Sequence, residues 1–209
     1  MKIREYLDEQ FLKNITEVQK KIDTKEYDFK ISQALKIFKG SITKEDIIKE
    51  VKSSKIAALY FAKNPLKQNI TEPLILSMLK KYNSSFKKVS TNSYDSIRFN
   101  EAGEIIYGKK PKNCINLSKS VDYEAVINGK IYYFAQKYTT GQGGAQDNQY
   151  NDAVYFVNCG LANKNRTYGL GMILDGDYYD SKLESLKSEY SKYDDVLILS
   201  VENDLNTNV

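Results

Sequence analysis

The sequence predicts an α/β (α+β) fold: a mixed β-sheet flanked by helices, with a helical N-terminal region. Three observations predict it. Apolar residues keep helical spacing through residues 1–90, paired hairpin signals follow from about residue 95, and strand-length apolar runs then alternate with helical patterning. The 209 residues read as a single domain, with 1–90 its mainly helical N-terminal part and 91–209 its sheet-bearing core.

Each element follows in order. Ile3, Tyr6, Leu7, Phe11 and Ile15 mark a first helix, and Ile31, Leu35 and Phe38 a second. Ser41 or Thr43 is read as the N-cap of a third helix, with acidic residues in its first turn and a stripe of Ile47, Ile48 and Val51. Two short helices are expected at Ile56–Phe61 and Leu74–Leu79, with Pro73 in the first turn of the latter. Residues 83–92 are polar and without period. Beyond them a hairpin is expected across Ser96–Asn100 and Glu104–Tyr107, with Gly103 in its turn. A second hairpin joins Val121–Ile127 to Lys130–Lys137 through Asn128-Gly129, the strongest short-range hairpin signal. A Gly-rich loop (139–146) and a short polar helix come next. Ala153–Val157 and Tyr168–Leu174 are read as strands, Ser181–Tyr190 as a helix and Asp195–Val201 as a last buried strand.

Composition removes several chemistries. The chain has no His, which excludes Ser-His-Asp and Cys-His catalysis and any His-based nuclease site. Its two cysteines, Cys114 and Cys159, have no metal-ligand spacing and are read as reduced and structural. No run of 18 apolar residues is present, so no transmembrane helix and no membrane partner are expected. The charged N-terminus reads as lacking a signal peptide, and the expected location is cytoplasmic. Residues 1–90 carry 19 basic and 11 acidic groups against 12 and 16 in the remainder, an asymmetry that suits a polyanion partner. A solvated Lys-rich surface explains that asymmetry equally well.

Hairpin geometry brings Asp122 and Lys137 together. With Asn128-Gly129 as the turn, cross-strand partners have numbers that sum to about 257, which sets Asp122 opposite Ala135. Lys137 then lies two positions further along the same face, while Gln136 points to the other. The plainest reading of this pair is a cross-strand ion pair on an exposed face.

The run Val121-Asp122, twelve residues, then Ala135-Gln136-Lys137 resembles the motif of the PD-(D/E)xK nuclease superfamily, which includes most type II restriction endonucleases. The resemblance spans about residues 117–201. It implies a restriction-endonuclease-like core at 91–209, Asp122 and the residue at 135 as Mg²⁺ ligands, and Lys137 as the group that orients or deprotonates water. The chain departs from that pattern at one position, because Ala135 stands where a carboxylate belongs. Three explanations stay open: an inactivating substitution of Glu, a role taken over by Gln136 or Glu124, or an accidental match. Mg²⁺ takes carboxylate and water oxygens, so a site without the second carboxylate should hold it weakly.

The same resemblance implies a restriction-modification endonuclease that cleaves double-stranded DNA and acts as a homodimer. Thr139, Thr140, Gln142, Gln146, Asn148, Gln149 and Asn151 follow the motif Lys directly. Their amides suit bidentate reading of adenine in the major groove. Lys87, Lys88 and Arg98, with Lys109, Lys110 and Lys112, are expected phosphate contacts. Asp175-Gly-Asp177 with Asp180 reads as a turn and helix start rather than a Ca²⁺ loop. Two other functions compete with an active restriction enzyme. One is a non-catalytic DNA-binding module on a nuclease scaffold, and the other a structure-directed repair or junction nuclease.

Overall fold

The computed structural model describes the chain except residues 1, 40, 65–69, 93, 110–115, 140, 142–143 and 206–209, with backbone alone at 144–145. Thr140, Gln142, Lys110, Lys112 and Cys114 therefore lie outside the described residues. The protein is mixed α+β and divides into two compact units, Met1–Pro73 and Leu74–Val209.

The first unit is helical: α1 (Ile3–Lys21), α2 (Asp28–Ile37) after a 3-10 turn at Lys25–Tyr27, α3 (Lys44–Ser53) and α4 (Lys55–Phe61). Thr43 caps α3 as the sequence suggests: its hydroxyl accepts from Asp46 N at 3.1 Å, and Asp46 accepts from Thr43 N at 2.9 Å. Ile15, Val18 and Ile22 of the α1 segment pack with Ile31, Ile47, Val51 and Phe61 in one apolar cluster. Polar ties fix the helix ends. Lys30 Nζ donates to Phe61 O at 2.6 Å, and Lys52 pairs with Asp23 at 2.6 Å.

Helix α5 (Thr71–Tyr82) leads into the second unit, and Pro73 sits in its first turn. Among the described residues seven strands follow: β1 (Lys87–Lys88), β2 (Ile97–Phe99), β3 (Ile105–Tyr107), β4 (Tyr123–Ile127), β5 (Lys130–Tyr138), β6 (Gly169–Asp175) and β7 (Val196–Leu199). The main sheet has the order β1-β4-β5-β6-β7, antiparallel from β1 to β5 and parallel from β5 to β7. Parallel neighbours need a crossover, and here α6 (Gly144–Ala162) and the pair α7 (Asp177–Asp180) and α8 (Leu183–Tyr190) supply them. The two-stranded sheet β2–β3 turns at Gly103, whose φ is +76°.

One expectation is corrected. Ala153–Val157 is not a strand but the middle of the nineteen-residue helix α6. Its Val, Tyr and Phe content suggests a strand, yet burial selects Ala153, Phe156, Val157 and Leu161, a helical spacing that packs on β5 and β6. Strand β1 was not anticipated, because two exposed lysines carry no apolar period. The short polar helix expected at Asn148–Asn151 is the start of the same helix α6, and the remaining helices and strands form near their expected positions.

Strands β5, β6 and β7 present Tyr133, Ala135, Leu170, Met172, Leu174, Val196 and Ile198 to a core shared with α6 and α8. Strand β6 is buried along its whole length, as expected of a strand covered on both faces. On its other face the rings of Tyr132 and Phe134 lie where side chains at Gly169 and Gly171 would stand. At the starts of β5 and β7 Asp195 joins Lys130, at 2.8 Å, to Arg166, at 2.5 Å. Burial pushes the Asp195 carboxyl up, but Lys130 and Arg166 outweigh it and hold the group below its ordinary value.

Gly171→Ala is expected to destabilise the protein by roughly 1–3 kcal/mol, because the new methyl group must displace the Phe134 ring. Urea denaturation of the variant checks this. An unchanged midpoint would show that the ring is free to move.

Candidate active site

Asn128 and Gly129 both have positive φ, +50° and +77°, which defines the tight turn whose twist matches its flanking strands. The resulting register pairs Tyr123 with Phe134 and Glu124 with Tyr133, so the expected sum of 257 holds from Tyr123 to Ile127, but it breaks at Asp122, whose N–H meets Phe134 O rather than lying opposite Ala135. Asp122 precedes β4 by one residue and is held on three sides. Its N–H donates to Phe134 O at 2.9 Å, its C=O accepts from Val89 N at 2.9 Å, and its Oδ2 accepts from Gln136 N at 2.7 Å. The partly exposed carboxylate is thus fixed to the backbone of β5 between Ala135 and Lys137.

Strand alternation sets Tyr133, Ala135 and Lys137 on the face that α6 covers, and Gln136 on the other with Phe134. Ala135 is fully buried in the apolar core, opposite Met172 of β6. Lys137, at the end of the same strand, is partly exposed. Asp122 and Lys137 therefore lie at the same end of the hairpin: Asp122, just outside the regular register, is tied to the Gln136 N–H, and Lys137 is the next residue along β5.

This donor set does not fit Mg²⁺. Among the described residues no three acidic or thiol side chains gather as metal ligands. Ala135 has no oxygen to offer, and Gln136 occupies the wrong face to replace it. Glu124 is paired with Lys87 at 2.6 Å. One carboxylate with an oxygen already engaged falls short of the ligands that a magnesium ion needs from a protein and its phosphate substrate.

The residues expected to read DNA divide. Thr139 is buried, and its N–H donates to Asp175 O at 3.1 Å, which stitches β5 to β6. Gln146 and Gln149 lie three residues apart on the half-buried side of α6, whereas Asn148 and Asn151 stand on its exposed side. The amides of the first two turns of α6 thus form two surfaces. Among the expected phosphate contacts Lys87 is spent on Glu124, and Arg98 donates to Ser96 Oγ at 2.8 Å and Gly108 O at 3.3 Å. Lys88 is exposed, and Lys109 lies over the Tyr94 ring at 4.5 Å.

Sequence reasoning missed Asp175. It ends β6 beside Thr139 and is fully buried; its Oδ1 accepts from Ser200 Oγ at 2.8 Å and Glu202 N at 2.9 Å. Its Oδ2 has no partner among the described residues. Burial pushes the carboxyl up to about 7 despite those hydrogen bonds. The signal was an acidic residue closing an otherwise unbroken apolar strand. Gly176, with φ +97°, turns the chain here, because a side chain at that position would strike the Thr139 carbonyl. Helix α7 follows at once, so the turn-and-helix reading of 175–180 stands.

The Asp175 carboxyl is raised in the fold, so its stabilising contribution is complete below its ordinary value near 4 and is lost as pH rises through about 7. Melting temperature should fall between pH 5 and pH 8. Asp175→Asn should flatten that slope, which corresponds to a few kcal/mol at most. An identical slope in the variant would assign the dependence to other groups.

No family model matches the sequence, and no curated protein is detectably similar to it.

Proposed function

We propose that this chain is a restriction-endonuclease-type protein that engages double-stranded DNA at the Asp122–Lys137 end of its hairpin, and that in this form it binds without cutting. The observation that carries the proposal is the placement of Asp122, tied to the Gln136 N–H, beside the end of β5 that carries Lys137, one strand end away from the amide-bearing first turns of α6. Lys137 supplies a cation for a backbone phosphate, and α6 supplies Asn and Gln side chains for base edges. The basic excess of the first 90 residues supports a polyanion partner. Buried Ala135 supports binding over hydrolysis, since the hydrolytic step lacks its second carboxylate. A site of two-fold symmetric sequence, read by a homodimer, is the matching substrate.

The residues present do three things. Lys137 attracts and positions a phosphate. Asp122 braces β5 through the Gln136 N–H while adding a negative charge near that phosphate. The amides of α6 favour adenine, so the preferred site should be rich in A·T pairs.

A gel shift with a sequence-diverse duplex pool checks these roles. Lys137→Ala should weaken binding across sequences, Asp122→Asn should leave binding intact or tighten it, and neither the parent chain nor these variants should cut with added Mg²⁺. Efficient cutting by the parent chain would restore the active-enzyme reading, with Gln136 or Glu124 as the residue to test. Selection of a purely G·C site would contradict the amide assignment.

Ala135→Glu tests the scaffold directly. Position 135 is fully buried, so the larger charged side chain should lower the melting temperature. If its carboxylate reaches the Asp122 side, Mg²⁺ should raise that melting temperature again and cutting should appear. A variant that Mg²⁺ neither stabilises nor activates would argue against the nuclease-type scaffold.

A further inference from the structure

Helix α4 buries Ala58 and Phe61 and turns Ile56, Leu59 and Tyr60 outward at helical spacing, 84%, 43% and 60% exposed. Tyr60 also forms one wall of an apolar groove of about 540 Å³ inside the first unit, with Ile37, Phe38, Ile42, Ile47 and Phe61 among its lining. Ile37 and Phe38 are themselves 65% and 49% exposed. Five large side chains at these exposures leave on the order of 500–600 Å² of apolar surface open, taking about 150–250 Å² for a large side chain. That is the upper end of what monomers show in one patch. With the groove floor it approaches the ~800 Å² that each partner brings to a standard interface.

We propose that this face docks on the same face of a second copy of this chain. The surface carries both halves of a self-complementary contact: a ridge of Ile56, Leu59 and Tyr60, and a groove beside it that can receive such a ridge. It also carries both charges. Asp46 and Glu50 line the groove, and exposed Lys36, Lys39 and Lys55 adjoin Ile37, Phe38 and Ile56. A two-fold contact sets the cations of one copy against the carboxylates of the other, while the ridges exclude water from both grooves. The inference rests on apolar area and charge within the first unit; it names an interface for the homodimer of the proposed function and is tested without DNA.

Sedimentation velocity on the full chain, without DNA or divalent metal, should give twice the chain mass at micromolar concentration. Ile56→Asp and Tyr60→Asp, both at exposed positions, should each raise the dissociation constant on the order of tenfold or more with an unchanged far-UV circular dichroism spectrum. Val126→Asp, a similarly exposed apolar position on β4, should leave the dimer intact. A monomer at every concentration overturns the proposal, as does a dimer that survives Ile56→Asp combined with Tyr60→Asp. Loss of DNA binding with the dimer intact would instead count against the DNA reading alone.

Discussion

The pairing of β4 with β5 across Asn128-Gly129 is the constraint on which the second unit depends. A two-residue turn with both φ values positive permits one register, and a slip by one residue would send Tyr133 and Ala135 away from the core. Strand β5 then serves as the template for β6, and β6 for β7, each reached only through a helical crossover. The same register fixes what faces Asp122. It brings the Gln136 N–H within reach of the carboxylate, with Lys137 next along the strand, so the candidate site follows from the turn.

Ala135 shows how core and site compete for one position. Its methyl group lies in the apolar cluster that holds α6 to the sheet, within two residues of a partly exposed lysine. A carboxylate there would reach toward Asp122 at the sheet's end or be desolvated against Met172 and Ala153. With Ala the sheet gains close packing against α6 and loses a ligand. The arrangement favours a rigid sheet edge over a metal centre. Asp122 has an equivalent double role, since the oxygen that braces Gln136 N–H is one fewer for a ligand.

Local chemistry was legible in the sequence, and tertiary competition was not. Thr43, Pro73, Gly103 and Asn128-Gly129 announce their helix starts and turns because each meets a backbone requirement within four residues. The register of β4 on β5 follows by counting from the turn, but its break at Asp122 does not. Ala153–Val157 misled because a five-residue apolar window fits a strand as well as a buried helix, and only contact with β5 and β6 decides. Lys87 and Arg98 read as free cations, yet their partners Glu124 and Gly108 are 37 and 10 residues away in sequence. Asp175 was passed over for the same reason: Ser200 and Glu202, which hold it, come from the far end of the chain.

The central claim is that Lys137 and its surroundings meet the phosphates of a duplex. Fluorescence anisotropy of a labelled duplex across a salt series measures this most directly, because each neutralised phosphate adds about 0.9 to the slope of log affinity against log salt. The account predicts a clear negative slope for the parent chain and a slope shallower by about one phosphate in Lys137→Ala. Affinity that ignores salt, or a slope unchanged by Lys137→Ala, would contradict it.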